Sequence, residues 1–254
     1  LEISPDFFEY FGALSPLLDQ DDQLLTVSAW NDNGQKMNVR DSQALLRSDF
    51  FPGLGWMMNR KLYVELIAKW PRAYWDDWLR EPPQRKGRHS IHPEVSRTLH
   101  YGKHGVSANQ FQGEYMDKMK LNAEYVPFGS MDLSYLHEKE WDEHYLHAIK
   151  AAKSVSQQQF DTLVPKPSRY LHLTNGDESD SKRKEKDQWT GQKVVALKSY
   201  RVAYTGNSGF ERVARWAGVM DNIKANVPRT AYKGVVELWS ADAKLYLVPS
   251  GLVK

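Results

Sequence analysis

Residues 24–34, with the sequence LLTVSAWNDNG, join a short apolar run to a polar turn. The apolar run, residues 24–30, has the length and composition of a buried β-strand. Asn31-Asp32-Asn33-Gly34 follows it, and these residue types favour a tight turn. The stretch therefore predicts a buried strand that ends abruptly in a turn.

Helices are predicted on both sides of this strand. Ser4-Pro5-Asp6 is typical of a helix start, with Ser4 as the N-cap and Pro5 in the first turn. Pro16 is expected to interrupt or end that helix, because proline has no backbone N–H. Apolar residues at helical spacing predict further helices in residues 61–70, 111–122 and 134–152, and a short helix or turn in 74–80.

The C-terminal part of the chain predicts a small, separable α+β module. Its expected elements are a strand in residues 194–204, a helix in 209–219, and strands in 233–240 and 244–248 joined by the turn Ala241-Asp242. The segment before most of it, residues 174–193, carries five acidic and five basic side chains. This mixture favours a solvated loop over a nucleic-acid-binding patch.

Composition and charge exclude several classes of function. The chain has 254 residues, and its net charge of +2 gives no electrostatic footprint of a dedicated nucleic-acid binder. It has no cysteine, which excludes disulfides, thiol catalysis and zinc–thiolate sites. No apolar run approaches the roughly 20 residues that a membrane span needs. Because the chain opens at Leu1 and carries no signal-peptide pattern, we expect it to be a fragment of a longer protein.

The most specific chemical feature is Trp75-Asp76-Asp77-Trp78, in which two adjacent carboxylates lie between two indole rings. On a helix, neighbouring side chains point about 100° apart, so the two acids are expected to have different roles. A carboxylate against aromatic surface is partly desolvated and suits a general base for a sugar hydroxyl. The alternative is an acidic first turn stabilised by the helix dipole, and the spacing alone leaves both open.

Other patterns of catalysis and cofactor binding are weak or missing. Pro52-Gly53-Leu54-Gly55 would let backbone approach a ligand closely, or form a tight turn. The sequence contains no phosphate-binding GxGxxG or GxxxxGK and no GxSxG elbow. The pairs His89/His92 and His144/His147 have no HExxH context and no evident third ligand, so they do not favour a metal site. The small, polar residues 103–109 predict a mobile loop.

A series of motifs follows in one order along the chain. They are 27–34 (VSAWNDNG), 47–56 (RSDFFPGLGW), 69–71 (KWP), 75–78 (WDDW), 85–88 (RKGR), 93–98 (PEVSRT), 105–107 (GVS), 121–122 (LN) and 227–236 (VPRTAYKGVV). In this order they resemble the N-acetylglucosaminyltransferase I family. The resemblance covers nearly the whole chain, except about residues 152–193.

This resemblance implies a fold and an activity. The family has a GT-A, Rossmann-like nucleotide-sugar domain and a smaller C-terminal domain. The implied fold class is α/β: the C-terminal half of a GT-A domain in residues 1–102, a donor-closing loop and linker in 103–138, and a small α+β domain in 139–254. The implied reaction moves GlcNAc from UDP-GlcNAc to O2 of the α1,3-linked mannose of high-mannose N-glycans, with inversion at the anomeric carbon and Mn²⁺ as cofactor.

The resemblance also implies roles for single residues. Asp76 matches the family's catalytic base. Val106 and Ser107 match a loop that closes over the donor, so both are expected to touch the diphosphate. Leu54 and Trp75 are expected to line the sugar pocket. The family's Mn²⁺-binding acidic triplet precedes the segment that matches Leu1, so we expect no metal ligands in this chain and no activity from the chain alone.

Thr26 and Ser90 stand where animal relatives of this family have two cysteines paired with each other. Their joint replacement implies the loss of one disulfide, and this concerns stability rather than chemistry.

Two further functions stay open on the sequence. Related protein O-mannose β1,2-GlcNAc-transferases share the Pro-Gly-Leu-Gly-Trp segment, and a non-catalytic glycan-binding protein could use the same scaffold. The resemblance implies UDP-GlcNAc and high-mannose N-glycans as partners, and no nucleic acid. It also implies a place on the luminal side of the Golgi membrane, with a membrane anchor upstream of this chain.

Overall fold

The structure is a computed structural model that describes residues 1–100, 115–164 and 198–252. The predicted loops 103–109 and 174–193 lie outside the described residues. Helices and strands both contribute throughout the described parts, which confirms the α/β class. In these parts no helix combines the length and the apolar character needed to cross a membrane.

The first hundred residues form a four-stranded sheet with helices beside it. The elements are β1 (Glu2–Ile3), α1 (Phe7–Gln20), β2 (Leu24–Ser28), β3 (Leu45–Ser48), β4 (Trp56–Met57), α2 (Arg60–Ile67), α3 (Trp75–Arg80), α4 (Pro82–Arg85), β5 (His89–Pro93) and β6 (Thr98–Leu99). The strand order is β3-β5-β2-β4, with β2 and β5 parallel and the other neighbours antiparallel. β1 and β6 form a separate antiparallel pair. All of β2 is buried, as expected for an apolar strand inside a sheet.

A second four-stranded sheet lies in the C-terminal part. The elements are three 3₁₀ turns (Met116–Lys118, Phe128–Ser130 and Ser134–Leu136), α5 (Glu138–Ala151), β7 (Lys153–Ser154), α6 (Gln157–Leu163), β8 (Lys198–Tyr204), α7 (Gly206–Ala217), β9 (Ile223–Lys224), β10 (Val227–Pro228), β11 (Val236–Ser240) and β12 (Ala243–Pro249). The strand order is β11-β12-β8-β7. β11 and β12 form the predicted hairpin, and β9 and β10 form a second, short hairpin.

One hydrophobic cluster contains side chains from both ends of the chain. Tyr10 and Leu14 of α1 belong to it together with Trp141 of α5 and with Tyr232 and Val235. A separate cluster fills the space between α7 and the second sheet. The division into 1–102, 103–138 and 139–254 stays a prediction.

The first helix differs from its prediction at both ends. α1 begins at Phe7, and Ser4 does not cap it; the Ser4 hydroxyl donates to Asp6 Oδ1 over 2.6 Å. Pro16 lies inside α1, which continues to Gln20. A proline cannot donate to the carbonyl four residues earlier. Here that carbonyl, of Gly12, accepts from the Ser15 hydroxyl at 3.1 Å, which offsets the lost hydrogen bond.

The helix predicted for residues 111–122 is wrong over its described part, residues 115–122. Only Met116–Lys118 forms a 3₁₀ turn. Met119 and Leu121 instead make bridges to Gln35 and Ser96. The segment is therefore held by backbone pairing to the first sheet region, and this tertiary contact overrides the local helical pattern.

Thr26 and Ser90 lie directly opposite each other on the parallel strands β2 and β5. Their hydroxyl oxygens are 2.8 Å apart and form a buried hydrogen bond. A polar pair thus joins the two strands at the position where the resemblance implies a disulfide in other family members.

Candidate active site

Helix α3 places two carboxylates and an arginine on one short segment. Asp76 and Asp77 lie in its first turn, and Arg80 lies in its last turn. Because residues three and four apart share a helix face, Arg80 can reach both acids. Its Nη1 donates to Asp76 Oδ2 over 2.9 Å and to Asp77 Oδ1 over 2.8 Å.

Arg80 is fixed from several directions. Its side chain is only 8% exposed. Its Nε donates to the carbonyl of Phe51 over 3.1 Å, and its guanidinium carbon lies 4.6 Å from the centre of the Phe50 ring. The guanidinium of Arg229 lies over the same ring at 5.0 Å. Arg80 is therefore an ordered support for the two carboxylates rather than a flexible surface cation.

The second acid is also held from the C-terminal part of the chain. Lys224, in the β9–β10 hairpin, donates through Nζ to Asp77 Oδ2 over 3.1 Å. Partial burial acts to raise the pKa of Asp77, but the hydrogen bonds and charges of Lys224 and Arg80 outweigh it and lower that pKa below its usual value. Asp77 is therefore a carboxylate with two cationic partners.

Asp76 differs from Asp77 in what it leaves unused. Its side chain is 41% exposed, and one oxygen, Oδ2, accepts from Arg80. Across the described ranges, Oδ1 has no hydrogen-bond donor, so it is available to an incoming hydroxyl. The sequence led us to expect a base desolvated by indole rings, whereas the structure shows a half-exposed carboxylate oriented by a guanidinium.

The glycine-containing loop lies against this carboxylate. A Cβ built on Gly53 would be 3.8 Å from the Cβ of Asp76 and 3.8 Å from Arg80 Nη2. Gly55 has a φ of +81°, and a Cβ there would come within 2.9 Å of Thr98 Cγ2, so this position requires glycine. The carbonyl of Leu54 between them accepts from the Thr98 hydroxyl over 2.8 Å.

Trp75 belongs to an aromatic cluster beside the loop. Its ring centre lies 5.5 Å from that of Trp56, 6.3 Å from that of Trp70 and 6.1 Å from that of Phe51. All three indoles are half-buried, and they pack against the small core formed by Phe51, Leu62 and neighbouring side chains. The cluster thus anchors α3 on its N-terminal side.

Three of the five predicted site residues, Leu54, Trp75 and Asp76, therefore lie in one region. Val106 and Ser107 lie outside the described residues. The sequence analysis missed Arg80 and Lys224. The spacing of Arg80 from the two acids was a signal for it. Lys224 lies 147 positions from Asp77, and no local pattern connects them.

The described residues do not fit a metal site: they contain no group of three His, Asp or Glu side chains that could hold an ion. Both ring nitrogens of His89 are engaged by carboxylates, Nδ1 by Asp49 Oδ1 at 2.7 Å and Nε2 by Glu138 Oε1 at 3.3 Å. His92 is fully buried, and this burial lowers its pKa to about 4. No chemical step at this site is therefore assigned to a metal.

Comparison with known proteins gives two matches. The model of the GNT-I family matches residues 1–187 and 166–254, two overlapping segments that together span the chain. An Arabidopsis thaliana protein with the name alpha-1,3-mannosyl-glycoprotein 2-beta-N-acetylglucosaminyltransferase is 42% identical over 236 residues. This similarity covers 93% of the chain and 47% of the relative, so the chain spans about half the relative's length.

Proposed function

The chain belongs to the GNT-I family, and we propose that it forms part of an inverting glycosyltransferase. The proposed enzyme moves GlcNAc from UDP-GlcNAc to O2 of the α1,3-linked mannose of high-mannose N-glycans. The name of the Arabidopsis relative supports this acceptor and this transferred sugar. The observation that carries the proposal is the half-exposed Asp76 carboxylate, which Arg80 orients through one oxygen and leaves open at the other.

In this proposal Asp76 is the general base. Its Oδ1 accepts the proton of the mannose O2 hydroxyl while that oxygen attacks C1 of GlcNAc. The new bond from O2 to C1 forms as the bond from C1 to the diphosphate oxygen breaks, so the configuration at C1 inverts. The UDP leaves with the electron pair of the broken bond. A positioned base contributes about 10²- to 10⁴-fold to such a step.

Arg80 and Lys224 assist without touching the reacting atoms. Arg80 holds Asp76 in one orientation and shares its charge with Asp77, while Lys224 offsets the negative charge of Asp77. Two cations thus balance two carboxylates, which keeps an ionised base at a site that is otherwise rich in negative charge.

The donor side follows from the same family membership. We assign Leu54 and Trp75 to the sugar pocket, and Val106 and Ser107 to contacts with the diphosphate. The approach of Gly53 to Asp76 supports the first assignment, because it brings the loop that carries Leu54 to the base. We also assign the GT-A architecture to the first sheet, and its support is the parallel β2–β5 pair beside α1.

Metal and location are part of the proposal. Mn²⁺ is expected to assist the departure of the diphosphate, and its ligands are expected before Leu1. The proposed place of action is the luminal side of the Golgi membrane, with attachment through an upstream segment.

The test is GlcNAc transfer from UDP-GlcNAc to a five-mannose N-glycan in the presence of Mn²⁺. It uses the chain alone and an extended protein, in which the part of the Arabidopsis relative that precedes the aligned region is joined before Leu1. We expect transfer by the extended protein and none by the chain alone. The Asp76→Asn variant of the extended protein should lose about 10²- to 10⁴-fold in kcat and still bind UDP-GlcNAc.

Each alternative has a distinct result in this assay. Transfer to an O-mannosyl peptide in place of the N-glycan would identify the related O-mannose enzyme. Binding of the glycan without transfer to either acceptor would identify a glycan-binding protein. Equal transfer by the wild type and Asp76→Asn would remove Asp76 as the base, and transfer by the chain alone would contradict the expected need for upstream residues.

A further inference from the structure

Tyr74 is an exposed aromatic residue two positions before the proposed base. It is 69% exposed, and Arg72 and Ala73 before it are exposed as well. From Trp75 onward the chain turns inward: Trp75 joins the aromatic cluster and Asp76 is held by Arg80. Tyr74 therefore stands at the solvent side of the site, where the inner aromatic cluster does not contain it.

The backbone of Tyr74 is in an unusual conformation for a large side chain. Its φ of 54° and ψ of 37° lie in the left-handed region, which glycine and asparagine adopt readily and bulky residues rarely do. Among the described non-glycine residues with positive φ, Tyr74 is the only aromatic one. Its carbonyl accepts from the backbone N–H of Trp78 at 3.0 Å, and a glycine there could do the same. The side chain thus has no evident part in maintaining this turn, and an unexplained strained residue beside a site points to a function.

The geometry of the proposed reaction indicates which ligand reaches Tyr74. In a direct displacement the acceptor oxygen enters on the face of C1 opposite the departing diphosphate. The base must contact that incoming hydroxyl, so the acceptor lies on the side of Asp76 away from the diphosphate. Leu54 and Trp75, assigned to the donor sugar, lie on the inner side of Asp76, which leaves the solvent side to the acceptor.

We propose that Tyr74 is an acceptor-binding residue whose ring stacks on the apolar face of the mannose that receives GlcNAc. A pyranose presents C–H groups on its faces and hydroxyls at its rim, and tyrosine offers a flat ring with a polar tip and little side-chain entropy to lose. This inference rests on the proposed function for the identity of the sugar, and on Tyr74 itself for the contact.

The test compares Tyr74→Ala, Tyr74→Phe and Tyr74→Gly in the extended protein. The ring should matter for the acceptor alone. We expect Tyr74→Ala to raise the KM for the five-mannose glycan about 2- to 10-fold, with the KM for UDP-GlcNAc and the rate of donor hydrolysis unchanged. Tyr74→Phe should restore most of the acceptor affinity, because it keeps the ring.

Tyr74→Gly separates binding from folding. It relieves the left-handed backbone, so its melting temperature should be at least that of Tyr74→Ala, yet its acceptor KM should be raised equally. Equal acceptor KM in Tyr74→Ala and the wild type would overturn the proposal. So would a parallel rise in the donor KM, which would indicate a general disturbance of the site.

Direct binding of the five-mannose glycan, measured by calorimetry, separates this inference from the proposed function. Glycan binding without transfer, weakened in Tyr74→Ala, would keep the contact and overturn the proposed reaction. Transfer with equal glycan affinity in wild type and Tyr74→Ala would keep the reaction and overturn the contact. Absence of both transfer and glycan binding in the wild type would overturn both.

Discussion

Asp6 and Asp76 each pair with an arginine, but they lie in different regions of the molecule. The pair of Asp6 with Arg97 is fully buried, with 0% exposure for both side chains. In the pair of Asp76 with Arg80, the arginine is 8% exposed and the carboxylate 41% exposed. The same two chemical groups thus occur once in the interior and once at the edge of a candidate site.

The pairs also differ in how many hydrogen bonds their carboxylates accept. Asp6 accepts from the Ser4 hydroxyl, from Nε and Nη2 of Arg97, and at both oxygens from Asn122 Nδ2. Asp76 accepts from Arg80 and keeps Oδ1 open among the described residues. A saturated carboxylate holds structure together, whereas a carboxylate with an open, exposed oxygen can take a proton. The difference therefore lies in what the pair leaves free and not in the pair itself.

The largest effect on stability is expected from Asp6→Asn. It leaves the Arg97 guanidinium buried beside a neutral partner, and breaking a buried ion pair in this way costs about 3–5 kcal/mol of unfolding free energy. Asp76→Asn, at a half-exposed position, should cost less than about 0.5 kcal/mol. Denaturant unfolding of both variants measures the two values, and equal losses would break the comparison.

A second buried group sharpens the comparison through pH. Burial lowers the pKa of His92 to about 4 from the usual 6.5. The unfolded chain therefore binds this proton first, so stability is fully present above about pH 6.5 and is lost as pH falls towards 4. The loss should approach roughly 3 kcal/mol.

The matched control is His92→Asn, which keeps a donor near the position of Nδ1, 3.1 Å from the Pro93 carbonyl. It should flatten the stability profile between pH 6.5 and 4. The lowered pKa values of Asp77 and of Glu65, the latter about 2, act at lower pH and should leave their own decline in place. An unchanged slope in the variant would show that His92 is not the group responsible.

The smallest effects are expected at the partners of Asp76, and they should appear in activity. Asp77→Asn removes a negative neighbour of the base, so the acidic limb of the pH–activity profile of the extended protein should move to lower pH. Lys224→Gln removes the cation that offsets Asp77, so the same limb should move to higher pH. Exposed ion pairs contribute up to about 1 kcal/mol, which corresponds to shifts of up to about 0.7 pH unit. Shifts of the same sign would contradict this charge balance.

Local patterns in the sequence predicted part of this molecule well. The apolar run at residues 24–30 became β2, the turn Ala241-Asp242 became a hairpin, and 75–80 became α3. Each of these depends on neighbours within a few positions. The resemblance to the family, confirmed by the comparisons, added the reaction and the interpretation of Asp76.

Long-range contacts decided what the patterns missed. Residues 115–122 pair with Gln35 and Ser96, and Lys224 meets Asp77 across most of the chain. Pro16 stays inside α1 because the hydroxyl of Ser15 takes up the carbonyl that the proline leaves free. Such compensation depends on a neighbouring side chain's conformation, which composition and spacing do not determine.

The most direct measurement crosses the two acids with the two properties. Asp6→Asn and Asp76→Asn are made in the extended protein, and both kcat for GlcNAc transfer and unfolding free energy are measured for each. The account predicts that Asp76→Asn loses about 10²- to 10⁴-fold in kcat at nearly unchanged stability. Asp6→Asn should lose several kcal/mol of stability while its folded molecules keep kcat within about tenfold of wild type. Wild-type kcat in Asp76→Asn, or a stability loss there as large as in Asp6→Asn, would contradict the account.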